Sequence, residues 1–214
     1  ETIYNTAVVS SGDVEQDNDT ASTSITCYLP SIGKSAAGTY DERHEWDVEK
    51  KVTPETQNAY AGGTADFVWM VTVDEEVTEE NFSVTGDITI TNPGATAVTI
   101  SDLADSLNDG TASTITGCTG TDVTYAGGVL TIPAGGTAVC SYSATPPDRT
   151  ATKNTATFTM NSIQYTAEAD VLFTANVIRG SAIVTDDQYP LNETITEDWW
   201  DNYTDHYTCE GIDS

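Results

Sequence analysis

A lysine, an acid and an asparagine occupy positions from which they could form an amide crosslink. Lys50, Asp102 and Asn154 each alternate with apolar residues along a predicted strand, so their side chains are expected to face one core. Burial lowers the pKa of a lysine and favours its neutral amine, while a protonated carboxyl group can polarise an amide carbonyl. These residues therefore predict an isopeptide bond between Lys50 and Asn154, with Asp102 as the acid.

Two noncovalent interpretations compete with this bond. Lys50 could extend to the edge of the sheet and pair with Asp102, or a bulge could exchange the faces of Lys50 and Lys51. Buried polar clusters are also more often hydrogen-bonded than crosslinked. At the two ends of the chain Asp186 and Asn5 hold the matching places, but no lysine does. We therefore expect the crosslink to be absent there.

The cysteines indicate an oxidised, extracellular protein. Cys27, Cys118, Cys140 and Cys209 lack the paired close spacing of a zinc site. Cys118 and Cys140 flank a short hairpin-like segment, so a local disulfide is the economical pairing and leaves Cys27 with Cys209; other pairings stay open, and free thiols are less expected. Four glycosylation sequons agree with a surface location and begin at Asn18, Asn81, Asn192 and Asn202.

One acidic segment has residues that could bind a metal. Asp13, Glu15, Asp17 and Asp19 alternate near the N-terminus, and hard oxygen ligands of this kind suit Ca²⁺. The glycine and the distal glutamate of an EF-hand loop are missing. A solvated acidic turn is therefore the favoured interpretation, and Ca²⁺ is the one candidate cofactor.

Charge and motifs exclude several classes of protein. The net charge of −27, from 7 basic and 34 acidic residues, opposes contact with phosphates and excludes nucleic-acid partners. No apolar stretch is long enough for direct membrane insertion. His44 and His206 are isolated, no nucleophile motif or phosphate loop is present, and carboxylate pairs carry no weight in so acidic a chain. We therefore expect no enzymatic activity.

The pattern of strands predicts an all-β fold with one complete domain. From Trp46 to Phe173, alternating apolar residues are separated by turn residues, which predicts a two-sheet sandwich over 46–175. The polar, glycine-containing segment 34–45 is expected to be a linker after an N-terminal arm, 1–33. The C-terminal piece, 176–214, has strand character but is too short for a sandwich.

The two end pieces resemble parts of the central domain. Asn5-Thr6-Ala7 in the arm matches Asn154-Thr155-Ala156 in the last part of the sandwich, and residues 182–186 match residues 98–102. The arm therefore corresponds to the last two strands of a module, and the C-terminal piece to its middle. Read tail to head, the two ends form one continuous module, so they are complementary halves.

Several motifs in this order resemble the immunoglobulin-like repeat domains found in tandem in large bacterial and archaeal surface proteins. The motifs are Trp46, Lys50 and Pro54; Gly62-Gly63; Val84-x-Gly86-x-Ile88-x-Ile90-x-Asn92-Pro93; Cys118; Cys140-Ser-Tyr142; and Asn154-Thr-Ala156. The resemblance covers roughly residues 46–173 well and the end pieces in part. It implies an immunoglobulin-like β-sandwich and a surface structural role, with no catalytic centre to carry over.

An incomplete sandwich leaves backbone groups and an apolar groove uncovered, which predicts assembly. If the arm of one copy completes the half-module of the next, the chain forms a head-to-tail extracellular filament or surface layer. Two alternatives stay open: the ends could meet within one chain, or the chain could be one repeat of a longer polypeptide. A third is an adhesin or glycan-binding module. Its candidate aromatic residues are Trp199, Trp200, Tyr203 and Tyr207.

Overall fold

The structure is a computed structural model of the chain, and it confirms an all-β protein. It describes residues 1–12 and 14–210, with the side chains of all of these except residues 10, 11 and 14–17. Strands and turns make up this part of the chain, which forms no helix. The abundance of Thr, Val, Ile and Tyr explains this result, because β-branched and aromatic side chains fit a pleated surface.

The described residues form seventeen strands. In chain order they are β1 Thr2–Ser11, β2 Val14–Ser24, β3 Ser31–Lys34, β4 Ala37–Thr53, β5 Thr64–Thr91, β6 Val98–Ile100, β7 Ala104–Leu107, β8 Thr114–Thr119, β9 Thr124–Ala126, β10 Val129–Ile132, β11 Thr137–Ala144, β12 Lys153–Met160, β13 Ile163–Asp170, β14 Phe173–Ile178, β15 Ala182–Thr185, β16 Asn192–Ile195 and β17 Trp199–Thr208.

The longest strand, β5, links two separate cores. Its 28 residues correspond to about 90 Å of extended chain. Residues 64–73 of β5 pair with β17, and residues 84–91 pair with β11, the last four of them also with β3. Strand β4 pairs with residues 68–85 of β5. With β8 and β14 joined through β11 and β4, this sheet has seven strands. Both cores therefore form on one continuous sheet.

The larger core lies in what we call the central sandwich: β3, residues 83–91 of β5, and β6 to β13. Two three-stranded sheets, β13–β12–β7 and β6–β10–β9, contribute to it together with the seven-stranded sheet. Alternate residues of its strands point inward, as the sequence pattern predicts. The largest buried apolar side chains are Tyr142, Phe158, Ile88, Ile90, Ile100, Leu130 and Ile132.

A smaller core lies in what we call the end module: residues 46–53 of β4, residues 64–74 of β5, and β15, β16 and β17. Its buried residues are Val71, Val73, Val184, Leu191 and Ile195. The hairpin of β15 and β16 forms a separate two-stranded sheet. Trp46 and Trp199 pack against this core from its flanks. The end module therefore has one broad sheet and only a two-stranded cover.

The structure divides the chain differently from the predicted boundaries. The segment that starts at Trp46, expected to open the central domain, packs instead in the end module, as do Val71 and Val73. The alternation of apolar residues continues through β5 from one core to the other without interruption. Periodicity shows which face of a strand is buried but cannot show where one core ends. The predicted start of the central domain at residue 46 is therefore wrong, because this segment packs in the smaller core.

The segment predicted as a linker, 34–45, is also part of the sheet. Lys34 closes β3, and β4 begins at Ala37 and pairs with β5. A Cβ atom on Gly38 would lie 2.7 Å from the ring of Phe173. This glycine therefore allows close packing of neighbouring strands rather than flexibility.

The arm consists of the hairpin β1–β2, which forms a sheet of its own. Every described side chain from residue 1 to residue 29 is exposed, and Pro30 is the first buried residue. Exposed apolar residues occur on both faces of β1, with Val8 at 60% and Val9 at 67% exposure. Residues 31–33, which were predicted to belong to the arm, pair with β5 in the central sandwich.

Candidate functional site

Three buried polar residues meet in the central sandwich: Lys34 at the end of β3, Asp105 on β7 and Asn154 on β12. Lys34 and Asp105 form an ion pair in which neither side chain has any exposed surface. Asn154 is fully buried on the inner face of β12, and the register of β12 with β7 makes it the diagonal neighbour of Asp105. A lysine from one sheet is therefore in contact with an acid from the opposite sheet, inside an apolar core.

Two oxygen atoms in this cluster have no hydrogen-bond partner among the described residues. They are Oδ1 of Asp105 and Oδ1 of Asn154. The amide nitrogen of Asn154 donates a hydrogen bond to Ser113 Oγ at 3.3 Å, which orients the amide group. Because a buried polar atom without a partner costs about 1–3 kcal/mol, two such atoms in one cluster require an explanation.

A tyrosine beneath the lysine completes the surroundings of the cluster. Lys34 Nζ lies 3.4 Å from the centre of the Tyr142 ring, and Tyr142 Oη donates a hydrogen bond of 2.7 Å to the Ser35 carbonyl. Lys34 is opposite Ile88 on β5, and Tyr142 is opposite Gly86, two residues along the strand. Gly86 is required there, because a Cβ would lie 2.2 Å from the Ser35 oxygen.

Burial dominates the electrostatics of the cluster. Desolvation lowers the pKa of Lys34, an effect that the neighbouring Asp105 carboxylate partly opposes. Burial also raises the pKa of Tyr142, so its phenol stays neutral. The low-dielectric core thus disfavours the ammonium form of Lys34, which is the form that cannot act as a nucleophile.

The structure does not bring together the predicted trio of Lys50, Asp102 and Asn154. Lys50 lies in the end module, where it pairs with Asp186. Asp102 is exposed, and its Oδ2 accepts a hydrogen bond of 2.9 Å from the backbone nitrogen of Thr159. Asn154 is the one member found in the buried cluster. The correction follows from the domain boundary, because the strand that carries Lys50 belongs to a different core.

Sequence reasoning missed Lys34 and Asp105. Lys34 stands at the start of a polar, glycine-containing segment, and β3 has only four residues in which a pattern could be recognised. Asp105 lies on a strand of equal length next to another acid, Asp102. Alternation is the signal that could have found both residues. Lys34 shares the inward face of β3 with Ile32, and Asp105 shares the inward face of β7 with Leu107.

The end module carries a similar charged group. Lys50 Nζ lies 2.5 Å from Asp186 Oδ2, and Tyr203 Oη donates to the same oxygen at 3.0 Å. Lys50 is opposite Val71 on β5, and Tyr203 is opposite Trp69, two residues along the strand. This is the same offset along β5 as in the central cluster. The expectation that no lysine occupies this place in the second module is therefore wrong.

The group in the end module is more open to solvent. Lys50 is 35% exposed and Asp186 only 4%. The hydrogen bond from Lys50 lowers the pKa of Asp186 to about 2, helped by the backbone nitrogen of Gln188. The same contact with Asp186 raises the pKa of Lys50. Lys50 and Asp186 therefore favour their charged forms, and no asparagine is among the hydrogen-bond partners described for either side chain.

Two hairpins each pair an asparagine on their first strand with an alanine on their second. In the central sandwich Asn154 on β12 pairs with Ala169 on β13. In the arm Asn5 on β1 pairs with Ala21 on β2. The β12–β13 hairpin lies against β7 and also contacts β3, whereas the arm pairs with no other strand among the residues that the structure describes. The two hairpins therefore differ in packing, since β12 faces the central core and the arm is exposed.

One face of the end module is open to solvent beside Lys50. Val48 precedes Lys50 by two residues on β4 and is opposite Val73 on β5. Its side chain is 64% exposed. Ile32 holds the matching position beside Lys34, and it packs against the central core. A cavity of about 360 Å³ has Val48, Lys50 and Asp186 in its wall.

The structure contains one of the two predicted disulfides. Cys118 and Cys140 are bonded and lie directly opposite each other on β8 and β11. Cys27 and Cys209 are not joined to each other within the chain. Cys27 is exposed where the arm ends, and Cys209 is partly exposed just after β17.

The acidic segment lies on a strand rather than in the expected turn. Glu15, Asp17 and Asp19 belong to β2, and Asp13 lies outside the described residues. Within the described parts of the chain, no group of three or more His, Cys, Asp or Glu side chains is placed to hold a metal ion. An extended strand separates alternate residues by about 7 Å, which does not surround an ion.

The remaining predicted surface residues differ in accessibility. Trp200 and Tyr207 are exposed, Tyr203 is buried and Trp199 packs against the smaller core. The asparagines of the four sequons are all exposed, at Asn18, Asn81, Asn192 and Asn202. Across residues 1–12 and 14–210 no helix of the length and apolarity needed to cross a membrane was found.

Comparisons with known proteins give little further information. No protein-family model and no curated protein matches the chain. Among solved structures, the chain is similar to an exo-β-N-acetylglucosaminidase of family GH20 from Vibrio harveyi, in complex with N-acetylglucosamine. The identity is 14%, the match covers 49% of this chain and 18% of that chain, and the TM-score is 0.19. A likeness this low carries no argument about fold or function.

Proposed function

We propose that the chain is a structural subunit of an extracellular filament or surface layer, built from immunoglobulin-like sandwiches. Copies join head to tail when the β1–β2 arm of one subunit completes the end module of the next. The observation that carries this proposal is that two hairpins share an asparagine–alanine pair. Asn5 faces Ala21 in the arm, as Asn154 faces Ala169 in the hairpin that completes the central sandwich.

The energetics of the arm support a partner outside its own sheet. A two-stranded hairpin alone is at best marginally stable in water. Val8 and Val9 lie on opposite faces of β1, and both are more than half exposed. Burying an apolar side chain of this size stabilises a fold by about 1.5–3 kcal/mol. Insertion into a groove would therefore contribute much of the stability that the isolated arm lacks.

The end module supports the same proposal from the acceptor side. Val48 and Ile183 are exposed at 64% and 69%, and both line a cavity of about 240 Å³ between β4 and β15. In the central sandwich the corresponding face of β3 is covered by β13. In the internal repeat β2 corresponds to β13. The β2 strand of a neighbouring copy would therefore cover β4 in the end module.

The arrangement of the chain favours joining between copies over closure within one copy. The arm forms no strand pairs with the end module of its own chain. A head-to-tail contact of this kind continues indefinitely unless the rotation between subunits closes a ring. The unjoined Cys27 at the base of the arm and Cys209 at the end of β17 would then form a disulfide between neighbours.

Electron microscopy and size-exclusion chromatography of the purified chain test the proposal. We expect filaments or linear oligomers from the full chain, and monomers after deletion of residues 1–29. Val9→Asp should block assembly, since Val9 shares a face with Asn5 and Ala7. Val8→Asp, on the other face of β1, is the matched control and should have a smaller effect. A chain that stays monomeric, or oligomers that persist without the arm, would contradict the proposal.

One exposed aromatic residue supports a second candidate function. Trp200 is 65% exposed on the outer face of β17, where an indole ring could stack on a sugar. This residue favours a glycan-binding surface module. Binding of the monomeric, arm-deleted chain to a glycan array, with loss of binding in Trp200→Ala, would support it; an array without a signal would contradict it.

A further inference from the structure

We infer that Lys34 and Asn154 of the central sandwich form an isopeptide bond, with Asp105 carrying the proton. This modification does not depend on filament assembly. It would join β3 of the seven-stranded sheet to β12 of the opposite sheet. The central sandwich would then be closed covalently between its two layers, in addition to the Cys118–Cys140 disulfide.

The register of the strands places the acid and the amide side by side. Asp105 on β7 is opposite Ala156 on β12, and Asn154 is opposite Leu107. Asp105 and Asn154 are thus diagonal neighbours on the inner face of two adjacent strands. Lys34 reaches Asp105 from the other sheet, so Nζ lies at β7, the strand that pairs with the amide-bearing β12.

The unpartnered oxygens fit the reactive form of the cluster. With the proton on Asp105, its Oδ1 becomes a donor, and the unpaired Oδ1 of Asn154 is the acceptor available beside it. One proton transfer from Lys34 to Asp105 therefore removes the buried charges and satisfies both oxygens. Burial already lowers the pKa of Lys34 and so favours this transfer.

The reaction balances without any other reactant. The neutral amine of Lys34 attacks Cγ of Asn154 while the Asp105 carboxyl group donates its proton to Oδ1. A proton from the attacking nitrogen passes through Asp105 to Nδ2, the Cγ–Nδ2 bond breaks, and the proton on Oδ1 returns to Asp105 as the carbonyl forms again. The products are an amide between Nζ and Cγ, one ammonia molecule and a protonated Asp105. Neither oxidant nor metal is needed.

Intact mass spectrometry of the reduced, full chain tests this bond directly. The chain should be lighter than its sequence mass by one ammonia molecule for this bond, and proteolysis should yield one branched peptide that contains Lys34 and Asn154. Lys34→Met and Asp105→Asn should each restore the full mass. Lys51→Met is the control and should not. A full sequence mass in the unmodified chain would overturn the inference even if a variant fails to fold.

A separate observation carries a second inference, which rests on the proposed function. The end module has the lysine, the acid and the tyrosine of the central cluster, but not its asparagine. We propose that Asn5 of a neighbouring copy supplies the missing amide. Lys50 and Asn5 would then form an isopeptide bond between subunits, with Asp186 carrying the proton and one ammonia molecule released at each junction.

The geometry of the free subunit explains why this second reaction would wait for assembly. Lys50 is one third exposed and is held as an ion pair by Asp186, which raises the pKa of Lys50. An arm placed like the β12–β13 hairpin would bring Asn5 to the inner face and cover Lys50 from solvent. Burial then favours the neutral amine, as it does for Lys34.

Boiling assembled material in detergent with a reducing agent tests the second inference separately from assembly. The unmodified chain should give a ladder of oligomers, and Asn5→Ala and Lys50→Met should give filaments in the microscope that dissociate to monomers on the gel. Lys51→Met should keep the ladder. Filaments of the unmodified chain that dissociate to monomers would overturn the bond and leave the proposed function intact. Failure of the unmodified chain to assemble would overturn both.

Discussion

The central sandwich and the end module contain the same arrangement of lysine, acid and tyrosine at two stages of completion. Around Lys34 the arrangement is closed by β12 and β13 and has no contact with solvent. Around Lys50 no hairpin like β12–β13 packs within the described part of the chain, and the lysine is one third exposed. The difference teaches that the same charged group can be enclosed or open, according to the strands that cover it.

Burial changes the chemistry of two otherwise similar lysines. Desolvation is the largest influence on Lys34 and lowers its pKa, whereas the hydrogen bond to Asp186 is the largest influence on Lys50 and raises its pKa. Each lysine has one carboxylate partner and one tyrosine ring nearby. The sign of the pKa shift therefore follows from access to water and not from the identity of the neighbours.

The largest expected effect separates the two clusters by stability. Asp105→Asn should lower the free energy of unfolding of the central sandwich by about 3–5 kcal/mol, because it removes the crosslink and leaves Lys34 buried without its partner. Hydrogen exchange of the β12 amides measures this change. Asp186→Asn is the matched control in the end module and should have a smaller effect. Equal effects of the two substitutions would contradict the view that only the central cluster is buried and crosslinked.

The sequence predicted most of what depends on local periodicity. Alternation predicts the inward face of Asn154, and the internal repeat matches Asn5 with Asn154. Lys34 was missed because a four-residue strand gives too short a pattern. Lys50 was placed in the wrong core because β5 continues through both cores. Which residues share a core depends on long-range packing, which periodicity does not encode.

The disulfide should stabilise one region only. Replacing Cys118 and Cys140 by alanine should destabilise the central sandwich by about 3 kcal/mol, since the bond closes a loop with a sequence separation of 22. Tryptophan fluorescence provides the internal control, because all four tryptophans lie in the end module: Trp46, Trp69, Trp199 and Trp200. Hydrogen exchange in β11 should therefore increase while the fluorescence transition stays nearly unchanged. A common shift in both signals would mean that the two cores unfold as one unit.

Acid should weaken the end module through Asp186. Folding lowers the pKa of Asp186 from 3.8 to about 2, so its contribution is fully present above pH 4 and is lost as the pH falls towards 2. The loss is at most about 2 kcal/mol, because Lys50 is partly screened by solvent. Tryptophan fluorescence of the arm-deleted chain during urea unfolding measures it. Asp186→Asn should remove this acid dependence, and an unchanged dependence in the variant would assign it to other groups.

The smallest effect concerns the junction between the two cores, where His44 on β4 pairs with Val77 on β5. His44 Nδ1 lies 2.6 Å from Glu75 Oε1, and this hydrogen bond is the main cause of its raised pKa, with Glu42 contributing. A group whose pKa is raised by folding stabilises the folded state below its ordinary value of 6.5, and this stabilisation is lost as the pH rises through the raised value.

The melting temperature should therefore fall slightly as the pH rises above 6.5, and His44→Gln should flatten this part of the curve. His206→Gln is the matched control, because His206 also pairs with a carboxylate, Asp66, but is largely exposed. Its replacement should change the curve less, since solvent screens an exposed pair. If both variants flattened the curve equally, the pH dependence would reflect general surface charge. A selective effect of His44 would place a pH-sensitive contact between the closed region and the open one.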